Sequence, residues 1–274
     1  MALKEFDLAG KVAIVTGCGG GIGKGIALAL AEGGADVVTV GRTKKLIEET
    51  AREIQKMGRK SLAVPTDVTK ADQVDKLVEQ TLSKFKKIDI LVNNVGTAKG
   101  KPLVPLTGEK DPMFGDILPP GFDTPTSEED FRSVMDTNVT SIFLCCRAVV
   151  PHMLKQGKGK IINIGATSAL RLLAYQTVYA PSKAWVHQFT RNLAFELAKY
   201  KINVNTIAPG AYITPLTHAL YEDEDRVKKV LSTIPMGRVG DTRRDMGMTA
   251  VFLASDASDY VTGELISVDG GFNL

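Results

Sequence analysis

The chain has 274 residues, 44% of them hydrophobic, and its 34 basic and 31 acidic residues give a formal net charge of +3. That length is one large domain or two small ones, and the apolar share suits a soluble globular protein with a sizeable core. Charge is mixed along the chain with no basic block, which argues against nucleic acid or a membrane surface as partner. Three cysteines, two of them adjacent at Cys145-Cys146, make no disulfide framework and fit a reducing compartment such as the cytoplasm. His152, His187 and His218 are scattered and read as surface or core-edge residues, and no Cys/His cluster has metal-ligand spacing, so no metal is expected. The N-terminus carries no apolar signal segment, and no apolar run is read as long enough to span a bilayer.

In chain order, Lys11 to Thr16 is a short β-branched run that breaks into Gly17-Cys-Gly-Gly-Gly-Ile-Gly23, after which Lys24 to Glu32 has a helical apolar pattern. Strand, glycine turn, helix is the opening of a dinucleotide-binding unit. Asp36 to Val40, Ser61 to Pro65 and Ile88 to Val92 read as the next strands. Between them lie helices over Thr43 to Met57, stopped by Gly58, and Thr69 to Phe85. Thr97 to Thr126 breaks the rhythm, with six of the twelve prolines. Ser127 looks like an N-cap followed by three acids, opening a long apolar helix to about Met153. Lys160 to Ile164 is a fifth strand, Tyr179 to about Tyr200 a helix, and Ile202 to Ile207 a sixth strand closed by Pro209-Gly210. A mobile-looking stretch, Ala211 to Gly240, leads to a helix from about Arg243 to Ala254 and a last strand, Leu265 to Val268. The alternation predicts an α/β fold: a doubly wound parallel sheet of about seven strands, a Rossmann fold, in a single domain over residues 1–274.

Tyr179 and Lys183 stand four residues apart, so both side chains leave one face of their helix. A lysine held positive beside a phenol favours phenolate and draws the pKa down from about 10. A phenol so tuned gives a proton to a forming alkoxide or takes one from an alcohol. The glycine turn supplies main-chain amides and a helix N-terminus for a pyrophosphate, with Gly17, Gly19, Gly20, Gly21, Ile22 and Gly23 as the expected contacts. Its spacing, Thr16-Gly17 with Gly21 and Gly23, is not the usual Gly-x-Gly-x-x-Gly. After the second strand an acid would bind the adenine ribose hydroxyls, but this chain has Arg42-Thr43, a pair suited to a 2′-phosphate. NADP is therefore expected in preference to NAD.

On these motifs the chain resembles the short-chain dehydrogenase/reductases of the compact single-domain type, from Gly10 to the C-terminus. Asp67-Val68 matches the family's adenine-side pair, and Asn93-Asn94-Val95-Gly96 its Asn-Asn-Ala-Gly. Asn138 falls on its catalytic asparagine, and Pro209-Gly210 with Thr214 on its nicotinamide-side loop. Val261-Thr-Gly263 and Val268-Asp-Gly-Gly271 match its C-terminal end. The resemblance implies Tyr179 as the proton donor or acceptor, Lys183 as the ribose ligand that lowers the Tyr179 pKa, and Asn138 as holder of a water linking Lys183 to solvent. It implies a hydride transfer between nicotinamide and a small-molecule ketone or secondary alcohol, in a homodimer or homotetramer built on the Glu128 and Tyr179 helices. An enoyl reductase of the same fold spaces its pair seven apart, and the residue seven before Lys183 is Gln176.

The chain departs from the family at one place. The catalytic serine position, three residues after Asn163, falls on Ala166. Losing one transition-state hydrogen bond costs on the order of 3 kcal/mol, about 10²–10³ in rate. Thr167 and Ser168 follow at once; Thr167 is the expected substitute if a local bulge turns it inward, or another group binds the substrate oxygen, and the alternative is a non-catalytic cofactor-binding subunit paired with an active homologue. The 97–126 insertion, with Met113, Phe114, Ile117, Leu118 and Phe122 on an apolar side, reads as a proline-restrained flap over the substrate or as an oligomer contact. The 211–240 region is the family's substrate cover, and Tyr212, Ile213, Leu216, Leu220 and Tyr221 suggest a moderately apolar substrate. Trp185 is read as packing.

Overall fold

The computed structural model describes residues 3–105 and 124–274. Seven parallel strands form a sheet: β1 (Val12–Thr16), β2 (Asp36–Gly41), β3 (Ser61–Pro65), β4 (Ile90–Asn93), β5 (Gly159–Ile164), β6 (Ile202–Pro209) and β7 (Leu265–Val268). Their spatial order is β3-β2-β1-β4-β5-β6-β7. The helices are α1 (Gly21–Glu32), α2 (Lys44–Lys56), α3 (Ala71–Phe85), α4 (Glu128–Met135), α5 (Ser141–Gln156), α6 (Tyr179–Leu197), α7 (Glu224–Ser232) and α8 (Met248–Ala254). This is the predicted doubly wound α/β sheet. The order of strands reverses between β1 and β4, and the crevice at their C-terminal ends is where such sheets bind ligands.

Strand periodicity sorts the core into two layers. Ala13, Val15, Ile90 and Val92 pack with α1, α2 and α8, whereas Ile14, Leu91 and Ile161 pack with α3, α5 and α6. The neighbouring register, with Val15 opposite Val92, keeps each set on its own side. Each fully buried Val, Leu or Ile is worth about 1.5–3 kcal/mol, so a slip of one residue would be prohibitive.

The Ser127 cap forms as expected. Its hydroxyl accepts from the Asp130 amide at 3.0 Å, and the Asp130 carboxylate accepts from the Ser127 amide at 3.4 Å. Helix α4 runs into α5 through a π turn at Asp136–Thr140, which the apolar pattern did not reveal. Contrary to the sequence reading, the combined Glu128–Gln156 helix is long and apolar enough to cross a membrane by length and composition, at a mean hydropathy of 1.2. Here its Val134, Ile142, Cys145, Cys146, Val149 and Met153 are buried in the protein.

The stretch read as mobile is more ordered than that. It holds α7, capped by the Asp223 carboxylate accepting from the Arg226 amide at 2.8 Å. Tyr212 is buried there, and its hydroxyl donates to the Val268 carbonyl at 2.9 Å. The apolar residues of the 97–126 insertion, Met113 to Phe122, lie outside the described residues. The flanks of that segment are tied down: Thr126 N–H donates to the Pro102 carbonyl at 2.8 Å, and Lys101 bonds both the Asp130 carboxylate at 2.7 Å and, through its amide, the Tyr175 carbonyl at 3.1 Å. Trp185 stacks on Phe189 with centroids 4.6 Å apart, a packing role as read. Cys18, Cys145 and Cys146 are free and buried.

A buried polar ladder crosses the middle of the sheet. Asn93 Nδ2 donates to Asn163 Oδ1 at 2.9 Å, Asn163 Nδ2 donates to Thr190 Oγ1 at 2.9 Å, and Thr206 Oγ1 donates to the same hydroxyl at 2.8 Å. It joins β4, β5 and β6 to α6. Asn163→Ala removes two of these bonds in a dry interior, leaving Asn93 only its weak bond to Cys146 Sγ, at about 1–3 kcal/mol. Urea denaturation is expected to show a lower midpoint with an unchanged slope; a midpoint equal to the parent's would show that the ladder adds nothing.

Candidate active site

A cleft of about 410 Å³ opens over the C-terminal ends of β1, β4, β5 and β6. Its lining brings together residues from distant parts of the chain: Gly17, Gly19 to Gly23, Arg42, Thr43, Asn94, Gly96, Tyr179, Lys183, Pro209 and Thr214. A larger cavity, about 680 Å³, lies at the opposite, N-terminal end of the strands. Its charges largely pair with one another, Lys11 with Asp256 at 2.6 Å and Lys160 with Asp259 at 2.8 Å. Chemistry rather than size therefore locates the site.

The glycine turn is shaped by close approach. Gly17 has φ +68°, and a Cβ there would sit 2.8 Å from the Asn94 side-chain nitrogen. A Cβ on Gly23 would overlap the Gly17 carbonyl. The turn is held by Asn94, whose Nδ2 donates to the carbonyls of Thr16 at 3.0 Å and Gly17 at 3.1 Å. Helix α1 starts at Gly21 with no side-chain cap, so its first amides are left for a ligand. This crowded, side-chain-free main chain fits a pyrophosphate, and the cleft continues to Arg42 and Thr43.

Asp67 stands apart from the cleft lining. Burial pushes its carboxyl up, but hydrogen bonds from Thr69 and the charges of Arg42 and Lys70 outweigh this and hold it below the usual carboxylate range. Val68 and Val95 turn their side chains into the core, which leaves their main chain to a ligand. Gly210 lies against Asp269, where a Cβ would meet that residue's main chain at 2.8 Å. Thr214 lines the cleft and shares a 3.0 Å hydrogen bond with Thr217. In the neighbouring region Tyr212 faces the core, so of the five residues read as substrate-facing it is Leu216 that lines the cleft.

Lys183 is buried, and its Nζ donates to the Ile164 carbonyl at 2.8 Å. A Cβ on Gly96 would lie 3.3 Å from that amine and 3.5 Å from Asn138 Oδ1, so lysine, asparagine and the β4 loop meet at one point. Asn138 sits in the π turn, fully buried. Its Oδ1 accepts from the Thr97 amide at 2.8 Å, and its Nδ2 donates to the Thr97 carbonyl at 2.9 Å and to Ser182 Oγ at 2.9 Å. Both amide hydrogens are engaged, so any relay through Asn138 must use the second lone pair of Oδ1 or the main chain.

Burial opposes the tuning expected of the pair. Tyr179 is pushed up to about 12 and Lys183 down to about 8, each because the cleft floor is poorly solvated. Lysine remains mostly charged at neutral pH, but the lowering of the phenol expected from the four-residue spacing does not appear: burial alone sets the direction of the Tyr179 shift.

The residue expected to replace the missing serine is otherwise engaged. Thr167 is buried, and its hydroxyl donates to the Pro209 carbonyl at 3.1 Å. Three polar groups to which the sequence reading gave no role in the site stand nearby along the chain. Ser168 Oγ, Gln176 Oε1 and His187 Nε2 are buried with no hydrogen-bond partner. His187, packed against Gly165, is pushed down to about 4 by burial and by the Lys183 charge. Its four-residue offset from Lys183 was the available signal.

The short chain dehydrogenase family profile matches residues 11–225. A 2-dehydro-3-deoxy-D-gluconate 5-dehydrogenase of Dickeya dadantii is 39% identical over 273 residues, 99% of each chain. A gluconate 5-dehydrogenase from Burkholderia cenocepacia, solved with NADP and tartrate, superposes with a TM-score of 0.86 at 33% identity, covering 99% of this chain and 98% of that one. A 3-ketoacyl-(acyl-carrier-protein) reductase from Brucella melitensis, solved with NADH, gives 0.81 at 36% identity over 98% and 100%. On this likeness over nearly its whole length, the chain belongs to the short-chain dehydrogenase/reductase family and is an NAD(P)-dependent oxidoreductase acting between CH–OH and C=O groups.

Proposed function

We propose that the chain is an NADP-preferring reductase or dehydrogenase of a small hydroxylated ketone or its secondary alcohol, with Tyr179 as the general acid and base. The observation that carries this reading is that Tyr179 and Lys183 line the same cleft as the glycine turn and Arg42. The bound nicotinamide supplies or accepts the hydride. Gly17 to Gly23 hold the pyrophosphate, and Arg42 with Thr43 takes the 2′-phosphate by charge-assisted hydrogen bonds. Lys183 binds the ribose hydroxyls and keeps a positive charge beside the phenol. Asn138 positions the β4 loop against α6 through Thr97 and Ser182. Asp67, Val68, Val95, Gly96, Pro209, Gly210 and Thr214 complete the cofactor contacts.

Similarity to the gluconate-type relatives makes a keto sugar acid the first substrate to try, and the 3-ketoacyl relative makes an acyl thioester the second. The chain works as a single domain in a homodimer or homotetramer, supported by Phe143 and Phe195 standing 44% and 89% exposed on α5 and α6. Three free, buried cysteines support a cytoplasmic setting.

The test is NADPH oxidation by the purified chain with 2-dehydro-3-deoxy-D-gluconate, 5-dehydrogluconate, acetoacetyl-CoA and cyclohexanone. Turnover of at least one is expected, and Tyr179→Phe is expected to abolish it while NADPH affinity stays within a few-fold. Activity retained in Tyr179→Phe refutes the assigned acid. For the cofactor, Arg42→Ala is expected to weaken NADPH at least tenfold more than NADH in a fluorescence titration; equal losses refute phosphate pairing.

The pH dependence follows from the phenol. Reduction needs the neutral phenol and falls as pH rises through its pKa, whereas alcohol oxidation needs phenolate and rises. Removing the neighbouring cation disfavours phenolate, so Lys183→Met is expected to move the oxidation limb to higher pH. A limb unmoved in that variant would detach the lysine from the tuning of the tyrosine.

A further inference from the structure

We propose that Arg171, outside the cleft, is a positioning residue for its substrate side. It latches the loop between β5 and α6 to the C-terminal turn, and that turn also holds the 211–240 segment, so two walls of the cleft move as one body. The inference rests on the dehydrogenase reading above for the site it serves. The loop leaves the cleft at Gly165 and returns to it at Tyr179. Helix α6 opens at Tyr179 with no side-chain cap, so the path of the loop bears directly on its first turn. From the 211–240 segment, Thr214, Pro215 and Leu216 line the same cleft.

Arg171 Nη1 donates to the Phe272 carbonyl at 2.5 Å, and its guanidinium lies over the Phe272 ring, 4.7 Å from the centroid. A planar cation can make both contacts at once. The turn that presents Phe272 is rigid. The Asp269 carboxylate accepts from the amides of Gly271 and Asn273, each at 3.0 Å, and Gly270 and Gly271 stand at φ +65° and +90°. Its other side carries the 211–240 segment. Met236 N–H donates to the Gly270 carbonyl at 3.0 Å. Gly270 lies against Ile234 and Gly271 against Pro235, where added Cβ atoms would sit 2.8 and 3.0 Å from those side chains. At the start of the segment, Gly210 packs on Asp269 and Tyr212 Oη donates to the Val268 carbonyl.

The loop has ties near its two ends: the Thr167 hydroxyl to the Pro209 carbonyl, and the Tyr175 carbonyl to the Lys101 amide. Its middle depends on Arg171. The amides of Leu170 and Arg171 bond only back to the Thr167 carbonyl, within the same turn. Leu170 and Leu172 stand 45% and 99% exposed, so little apolar burial holds them in place. A loop released from the latch samples arrangements in which the two walls are not assembled. Substrate then binds the assembled fraction, and its apparent dissociation constant rises as that fraction falls. Once substrate is bound the walls are assembled again and the chemistry is unchanged, so the loss falls on KM and not on kcat.

The test uses the full-length chain with NADPH and whichever of the four ketones above the parent turns over fastest. Arg171→Met, which keeps the apolar stem, is expected to raise the ketone KM about tenfold, the loss of one charged hydrogen bond, with kcat within about threefold and NADPH affinity within about twofold. Phe272→Leu keeps the carbonyl and loses the ring; it is expected to raise KM about threefold. The double variant should match Arg171→Met within about twofold, because the ring acts only through the arginine. A second readout needs no substrate. Hydrogen exchange of the NADPH complex is expected to quicken about tenfold in Arg171→Met, both in residues 166–178 and in residues 233–240. Faster exchange confined to 166–178 overturns the coupling of the two walls, and unchanged exchange in both overturns the latch. An unchanged KM, with or without a lower melting temperature, makes Arg171 a support for stability only and overturns its positioning role. KM effects that multiply in the double variant overturn the pairing with Phe272. A parent chain that turns over none of the four ketones overturns the substrate reading, and the exchange comparison then decides the latch by itself.

Discussion

Amides and hydroxyls that cannot reach water link the ends of the central strands. Thr16 Oγ1 donates to the Val92 carbonyl and accepts from the Asn94 amide; Asn93 reaches Asn163, Asn163 reaches Thr190, and Thr206 closes on Thr190. Because all of these residues but the half-buried Asn94 are buried, an unmade bond costs much of the desolvation of the group left behind. The consequence is register. β1, β4, β5 and β6 are held at a fixed stagger exactly where the cleft opens, and α6 is pinned to them through Thr190. Tyr179 and Lys183 stand on that helix, so the ladder sets their position over the strand ends together with the Lys183 bond to the Ile164 carbonyl.

The same dryness that gives the ladder its strength governs the chemistry. Low solvation makes the Lys183 amine reluctant to hold its proton and the Tyr179 phenol reluctant to lose one. The two pKa values are thus driven apart, the phenol up to about 12 and the amine down to about 8, the reverse of the simple expectation in which the cation alone draws the phenol down. Before phenolate is favoured, further positive charge or hydrogen bonding must be supplied at the cleft floor. A neutral phenol suits the donor role in ketone reduction without any such help.

In the β5 to α6 loop the hydroxyl nearest the serine position is already engaged within the protein. Ala166 is packed, Thr167 is tied to the Pro209 carbonyl, and only Ser168 carries an unengaged O–H. What distinguishes Thr167 from Ser168 is partner geometry. Side-chain identity alone ranks the threonine, the nearer hydroxyl, first.

The sequence by itself determined the sheet, the helices and the placing of the cleft. Alternating apolar strands, glycine at positions where a Cβ would collide, and a cap signal at Ser127 are local features whose physics acts within a few residues. The tyrosine–lysine pair was legible for the same reason, since helix geometry alone puts them on one face. The π turn carrying Asn138, the burial of Tyr212, the helix inside the 211–240 region and the engagement of the Thr167 hydroxyl by the Pro209 carbonyl were decided only in the tertiary structure. Each depends on which distant carbonyl or core surface meets the side chain, and those partners lie up to tens of residues away in the chain, as Pro209 does from Thr167. Burial, too, is a property of the assembled layers, so the direction in which Tyr179 and Lys183 shift was set by packing that no spacing in the sequence encodes.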